Sequence, residues 1–209
     1  DPQYPDIIPS MPPVPLGPMG RKLAKGFESL NWHWWPAYSA INTRNYQGRP
    51  SDNYNRPSNM GDFTGSRGSV DNTYLPKAVS KGLKIKENCQ VIKLIPNESK
   101  NSIVFLNYKD QSGNLHFCSA KVFIIAASGI GTPRLLLSSK SQDYPNGICN
   151  SSGQVGRNLM LHPLGYVEGR FTDNIYSNLG PQGCCLLSQQ FCKSNSKNGF
   201  YRGYTFQAI

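Results

Sequence analysis

Residues 122–137 read VFIIAASGIGTPRLLL, and the fold turns on how this stretch is divided. An unbroken apolar run stops at Ser128-Gly129-Ile130-Gly131 and resumes with helical spacing after Thr132-Pro133, which predicts a strand, a tight turn and a helix start. Apolar residues throughout 122–127 predict a strand covered on both faces, in the middle of a parallel α/β sheet. Gly129 and Gly131 predict a turn with positive φ and close backbone approach, and the free N–H groups of the following helix make an anion site. Thr132 as N-cap and Pro133 at the first helical position account for the helix start. The dinucleotide fingerprint G-x-G-x-x-G is incomplete, because Arg134 stands at its third glycine.

Working outward, 209 residues with 38% apolar and 11% aromatic side chains suffice for one large domain or two small ones. The 20 Gly and 16 Pro gather outside the middle of the chain, predicting long irregular segments toward both ends. A formal charge of +10 raises nucleic-acid binding, but the cations are scattered rather than clustered on one element. Arg21, Lys22 and Lys25 share a helix with Glu28, and Lys81, Lys84 and Lys86 alternate on one strand face, as solvated faces do. An acidic ligand such as a pyrophosphate, or an acidic partner surface, accounts for the charge as well. Six cysteines without a C-x-x-C pair, and three histidines without ligand spacing, argue against a zinc site. Cys89 and Cys118 are expected as small core residues, and Cys184, Cys185 and Cys192 as candidates for a local disulfide. No apolar run reaches the length of a membrane span, and no signal-peptide pattern opens the chain. Both ends are expected to be cuts within a longer protein.

Six prolines before residue 16 predict an extended opening segment. Met19, Leu23, Phe27 and Leu30 predict an amphipathic helix over 18–30. The following stretch to about residue 66, with Trp32, Trp34, Trp35, Tyr38 and Tyr46, is expected as an ordered loop over a pocket or domain seam. Residues 69–80 predict a short helix capped by Asp71 or Thr73 and stopped at Gly82. Alternation over 83–86, 89–95, 102–108 and 115–120 predicts strands, the last two joined in a hairpin by the turn at 110–114. Weaker strand patterns follow at 165–171 and 184–189.

This order of elements resembles the central part of the glucose–methanol–choline (GMC) oxidoreductases, flavoenzymes that bind FAD. The likeness is strongest to their gluconate- and long-chain-alcohol-dehydrogenase-like branch, on INTRNYQGRP (41–50), GSVDNTYLPKAVSKG (68–82), AASGIGTPRLLLSS (126–139) and SSGQVGRNLMLHP (151–163). The resemblance implies an α/β (α+β overall) fold: a partial Rossmann-like FAD-binding domain with an inserted β-meander, plus the start of an antiparallel-sheet substrate domain. It divides the chain into 1–68 (extended segment, short helix and aromatic, glycine-rich loop over the pocket), 69–158 (partial FAD domain) and 159–209 (start of the substrate domain). It also implies that the main chain at Val91 meets the adenine, and that Ala127, Ser128 and Gly129 lie beside the adenosine and pyrophosphate. Ser128-Gly129 departs from the Gly-Ala usual in that branch. The glycine-rich pyrophosphate motif and the segment carrying the catalytic His are absent from these 209 residues, as are the cysteines that relatives often carry between 50 and 68. Gly61, Gly65 and Gly68 in that loop are expected to make turns packed near the flavin domain.

No catalytic residue is therefore assigned within the chain, and no metal ligand. His162 is expected to order its loop by hydrogen bonds, His33 to be a packed polar rim residue and His116 to point outward from the hairpin. Ser128 does not sit in a nucleophile elbow, since Ala126 replaces the first glycine of G-x-S-x-G. The function expected from the resemblance is part of an FAD-dependent oxidoreductase that moves hydride from a CH–OH group of a small alcohol or sugar to flavin, inactive as this fragment alone. Nucleic acid is not an expected partner, and the electron acceptor is unassigned. A non-catalytic carbohydrate-binding module is the alternative. An NAD-dependent Rossmann enzyme fits less well, because the acidic residue wanted about twenty positions beyond the turn is missing between Asp143 and Glu168.

Overall fold

The computed structural model describes residues 11–55, 61–179, 185–196, 199 and 202–208. Most of the proline-rich opening therefore lies outside the described residues, as does Cys184. The described chain holds mixed α and β structure with two three-stranded antiparallel sheets. It divides into two compact units, residues 1–83 with 168–209, and residues 84–167.

The first unit is built on helix α1 (Gly17–Ser29) and a sheet of β1 (Trp35–Pro36), β5 (Leu186–Ser188) and β6 (Phe206–Ala208) in the order β1-β5-β6. Leu16, Met19, Leu23 and Phe27 recur at three- and four-residue intervals, so one stripe of α1 packs on the buried Ala24, Cys185 and Leu186. Gly20 faces Cys185, and an added Cβ there would be in ordinary contact with its Sγ at 3.7 Å but only 3.0 Å from Leu16 Cβ at the helix's own N-cap. The sequence Trp32-His33-Trp34-Trp35 alternates as a strand does: Trp32 and Trp34 turn toward Phe27, Phe206 and the core, while His33 and Trp35 lie side by side, their rings 5.5 Å apart. His33 is a rim residue, its backbone N–H donating to Gln190 Oε1. Cys185 and Cys192 are thiols rather than disulfide partners.

The long segment after β1 is organised by polar groups. Ser66 is fully buried, and its hydroxyl donates to Asp52 Oδ2 at 2.7 Å. Asp62 accepts the Thr64 and Arg67 N–H groups and the Thr64 hydroxyl, while the Arg49 guanidinium reaches the Ser66 carbonyl and Asn42 Oδ1. Glycines 61 and 65 do take positive φ, so they serve turns around this hub. Helix α2 (Tyr74–Ser80) has Thr73 at its N-cap position, one of the two the sequence offers. The hydroxyl of Thr73 donates back to the Ser69 carbonyl instead of capping the helix.

The second unit carries the meander β2 (Gln90–Pro96), β3 (Ile103–Lys109) and β4 (Leu115–Ser119), all antiparallel neighbours. The turn Asp110–Asn114 joins β3 to β4, with Asp110 accepting the Asn114 N–H. Helix α3 (Ser128–Ser138) packs against β2, which is an edge strand. Ser139, just past the helix, closes that edge: its buried hydroxyl accepts the Leu94 N–H at 2.9 Å and donates to the Leu135 carbonyl at 2.7 Å. The turn through Gly147 seats Ile148 below, its N–H bonded to the Leu136 carbonyl.

Several expectations are overturned. Residues 121–127 form no strand and lie largely open, with Val122 74% and Ile124 86% exposed. An apolar run makes a buried parallel strand only between two neighbours, and both described sheets are antiparallel and lie elsewhere. Residues 83–86 and 165–171 are not strands. Lys86 instead donates to the Tyr108 hydroxyl. Cys89 and Cys118 are exposed, not core residues. His116 does not point freely outward; it stacks on Tyr108 and binds Asp110 Oδ2 at 2.8 Å. His162 is exposed and, among the described residues, makes no hydrogen bond, so it orders nothing by that means.

Candidate functional site

The start of α3 differs from its sequence reading in a way that matters for ligands. The helix begins at Ser128, four residues before Thr132, and Pro133 lies inside it. Thr132 therefore does not cap from outside; its hydroxyl reaches back and accepts the Ala127 N–H at 3.1 Å. Neither Gly129 nor Gly131 takes positive φ. Ser128 does, at +65°. Gly131 is nonetheless tightly placed, since an added Cβ there would sit 3.1 Å from Ala127 Cβ, whereas one at Gly129 would meet open space.

The N–H groups of the N-cap and of the first three helical residues have no partner within the helix; that of Ala127 is taken by the Thr132 hydroxyl, which leaves those of Ser128, Gly129 and Ile130. No acidic residue lies in this first turn, so the positive end of the helix dipole is not cancelled locally. Pro133 donates no hydrogen bond to the carbonyl four residues back, which leaves the Gly129 carbonyl available as well.

A groove of about 620 Å³ runs from Gly129 along α3 over Pro133 and Leu137, and Arg134, Lys140 and Arg157 line it. Gly156 has φ +77°, and an added Cβ there would come within 3.1 Å of Leu137 Cδ1. Glycine thus brings the 153–158 loop, and Arg157 with it, onto the helix. The volume admits a nucleotide-sized group, and free N–H groups, small side chains and three cations fit a phosphate-bearing one. Sequence reading missed this groove, although Ile130, Arg134 and Leu137 recur at helical spacing.

Ala127, Ser128 and Gly129 are contiguous at the helix start. Val91 lies on β2, paired with Tyr108 and 38% exposed. The Leu94–Ser139 bond pins the far end of α3 to β2, so the helix start is about 16 Å away along the 11-residue axis. Val91 and the α3 start are therefore parts of one compact unit, but no hydrogen bond joins them. Among the described residues no group of three His, Cys, Asp or Glu is placed to hold a metal, and no helix is long and apolar enough to cross a membrane.

A helix start without acidic side chains, beside a groove lined by Arg134, Lys140 and Arg157, suits an anionic group. Comparison with known proteins gives the class: the GMC oxidoreductase profile matches residues 15–164, and the chain belongs to that family of oxidoreductases, whose N-terminal domain generally binds FAD. It is 35% identical over 211 residues to 2-methyl-1,2-propanediol dehydrogenase of Mycolicibacterium austroafricanum, covering 99% of this chain and 38% of that protein. It is also 35% identical over 154 residues to the fructose dehydrogenase large subunit of Gluconobacter japonicus, covering 73% and 28%. With 6'''-hydroxyparomomycin C oxidase of Streptomyces lividus the identity is 26% over 193 residues, covering 88% and 35%. The chain thus spans well under half the length of these curated relatives.

Proposed function

We propose that this chain is part of an FAD-dependent oxidoreductase that oxidises a CH–OH group of a small alcohol or sugar. The FAD, when bound, accepts the hydride from the carbinol carbon. The chain's own contribution is to hold the cofactor: the main chain of Val91 meets the adenine, and Ala127, Ser128 and Gly129 lie beside the adenosine and pyrophosphate, Ser128 and Gly129 offering their N–H groups. The observation that carries this is the open start of α3, whose first turn holds no acid, in a chain of the GMC family. The named activities of the relatives, on 2-methyl-1,2-propanediol, on fructose and on 6'''-hydroxyparomomycin C, support a hydroxylated donor.

Within this proposal residues 69–158 belong to a Rossmann-like FAD domain and 159–209 begin the substrate domain, with 1–68 as extended segment, helix and loop. Exposed Val122 and Ile124 are explained if further polypeptide supplies strands beside them. The fragment alone is then inactive. The test is the visible spectrum of the full-length enzyme before and after anaerobic addition of diols and hexoses. A flavin band that bleaches with one of them is expected; a folded protein that stays colourless and cannot be reconstituted with FAD refutes the proposal.

A further inference from the structure

The groove beside α3 continues past the helix start, and its middle and far end carry charges that a pyrophosphate at residues 128–130 does not use. Arg134 stands in mid-helix and Lys140 two residues past its end, roughly 9 Å apart along the axis. Arg157 joins them from the 153–158 loop, which Gly156 seats against Pro133 and Leu137. All three cations are exposed, and among the described residues none is ion-paired. Among the described residues no acidic and no aromatic side chain lines the groove. Between the cations its surface is aliphatic, formed by Pro133, Leu137 and Leu159, the last 61% exposed.

Unmatched charges of one sign attract the opposite sign, and open aliphatic surface favours an apolar side chain. The cations are attached along the length of the groove rather than around one point, which suits a chain of anions better than a single phosphate. An extended peptide rises about 3.3 Å per residue, so roughly five residues span the groove from end to end. Nucleic acid fits less well, because the groove offers no ring on which a base could stack. We propose that this groove is a docking site for an extended acidic segment of a partner protein, its carboxylates on Arg134, Lys140 and Arg157 and an aliphatic side chain between them on Leu137 and Leu159. The site is separate from the start of α3 and stays open when FAD is bound.

The probe is the peptide Glu-Glu-Leu-Glu-Glu carrying fluorescein, titrated by anisotropy with the full-length, flavin-loaded enzyme. Binding is expected, weakened about threefold by each of Arg134→Ser, Lys140→Ser and Arg157→Ser and more than about tenfold in the triple variant. Replacing the glutamates by glutamine should abolish binding, and replacing the leucine by serine should weaken it about fivefold. No binding to the full-length enzyme overturns the inference, because the cofactor or the rest of the polypeptide then fills the groove. Equal binding by either altered peptide or by the triple variant overturns it too. So does a single-stranded oligothymidylate that binds more tightly than the peptide and displaces it, which would make the groove a nucleic-acid site. If a variant does not melt with wild type, salt decides: peptide binding to wild type must weaken as sodium chloride is raised from about 0.05 to 0.5 M, and unchanged affinity refutes the docking site. A wild-type protein that takes up no FAD contradicts the function proposed above and leaves this test standing on the flavin-free protein.

Discussion

Ser139 shows how much one hydroxyl can carry. It accepts the Leu94 N–H and is buried with it, so Ser139→Ala removes that acceptor and costs about 1–3 kcal/mol, measurable by denaturant unfolding. Asp62 is a pH-dependent counterpart. Burial pushes its carboxyl up, but hydrogen bonds from the Thr64 side chain, the Arg67 and Thr64 N–H groups and the Ser66 hydroxyl outweigh this and hold it down at about 2. Because the folded value lies below the ordinary one near 3.9, its stabilisation is fully present above that ordinary value and is lost as pH falls through about 2. Melting temperature against pH should therefore fall between roughly pH 4 and 2 in the wild type, more steeply than in Asp62→Asn. Ser139 was not legible in the sequence, because its partner Leu94 lies 45 positions away; Asp62 was passed over although its partners Thr64, Ser66 and Arg67 follow within five residues. The positive φ at the α3 start was legible as a need but assigned to Gly129 and Gly131, since composition says that a turn wants glycine without saying which residue turns.

The meander was legible nearly to the residue. Period-two alternation and a local turn specify it, and Asp110 with Asn114 and Gly113 closes the β3–β4 hairpin within five residues. His116 locks that hairpin, its bond being the largest cause holding the Asp110 carboxyl down at about 2, with the Asn114 bonds adding to it against slight burial. His116→Ala should let Asp110 titrate nearer to the ordinary carboxylate value in an NMR titration; an unchanged Asp110 would show that the turn alone sets it. The β1-β5-β6 sheet was less legible, because two- and three-residue strands draw their register from partners about 150 positions away. The apolar run 122–126 misled for a related reason: it states a demand for covering strands but cannot supply them. Helix α3 was found, with its start displaced, since Pro133 marks a first turn by rule but sits inside this helix. At its other end Gly147, φ +92°, lies so close that an added Cβ would be 2.7 Å from the Leu136 carbonyl oxygen. Gly147→Ala should cost about 2–4 kcal/mol from strain and clash together.

Taken as a polypeptide, the chain carries part of an oxidoreductase and leaves large apolar side chains open in its second unit, among them Leu161, Leu164 and Val167 at 80%, 87% and 95% exposure. Such surface is covered in a functioning enzyme, and residues 1–209 alone are expected to retain no flavin on a desalting column. In the proposed function the start of α3 is the part of this chain that meets the phosphates. Hydrogen exchange of the flavin-free, full-length enzyme with and without FAD tests that most directly. Exchange of the Ser128, Gly129 and Ile130 amides should slow at least about tenfold on FAD binding, as donors that gain a bond do. Saturation with FAD that leaves these three amides exchanging as before would contradict the placement of the cofactor at this helix.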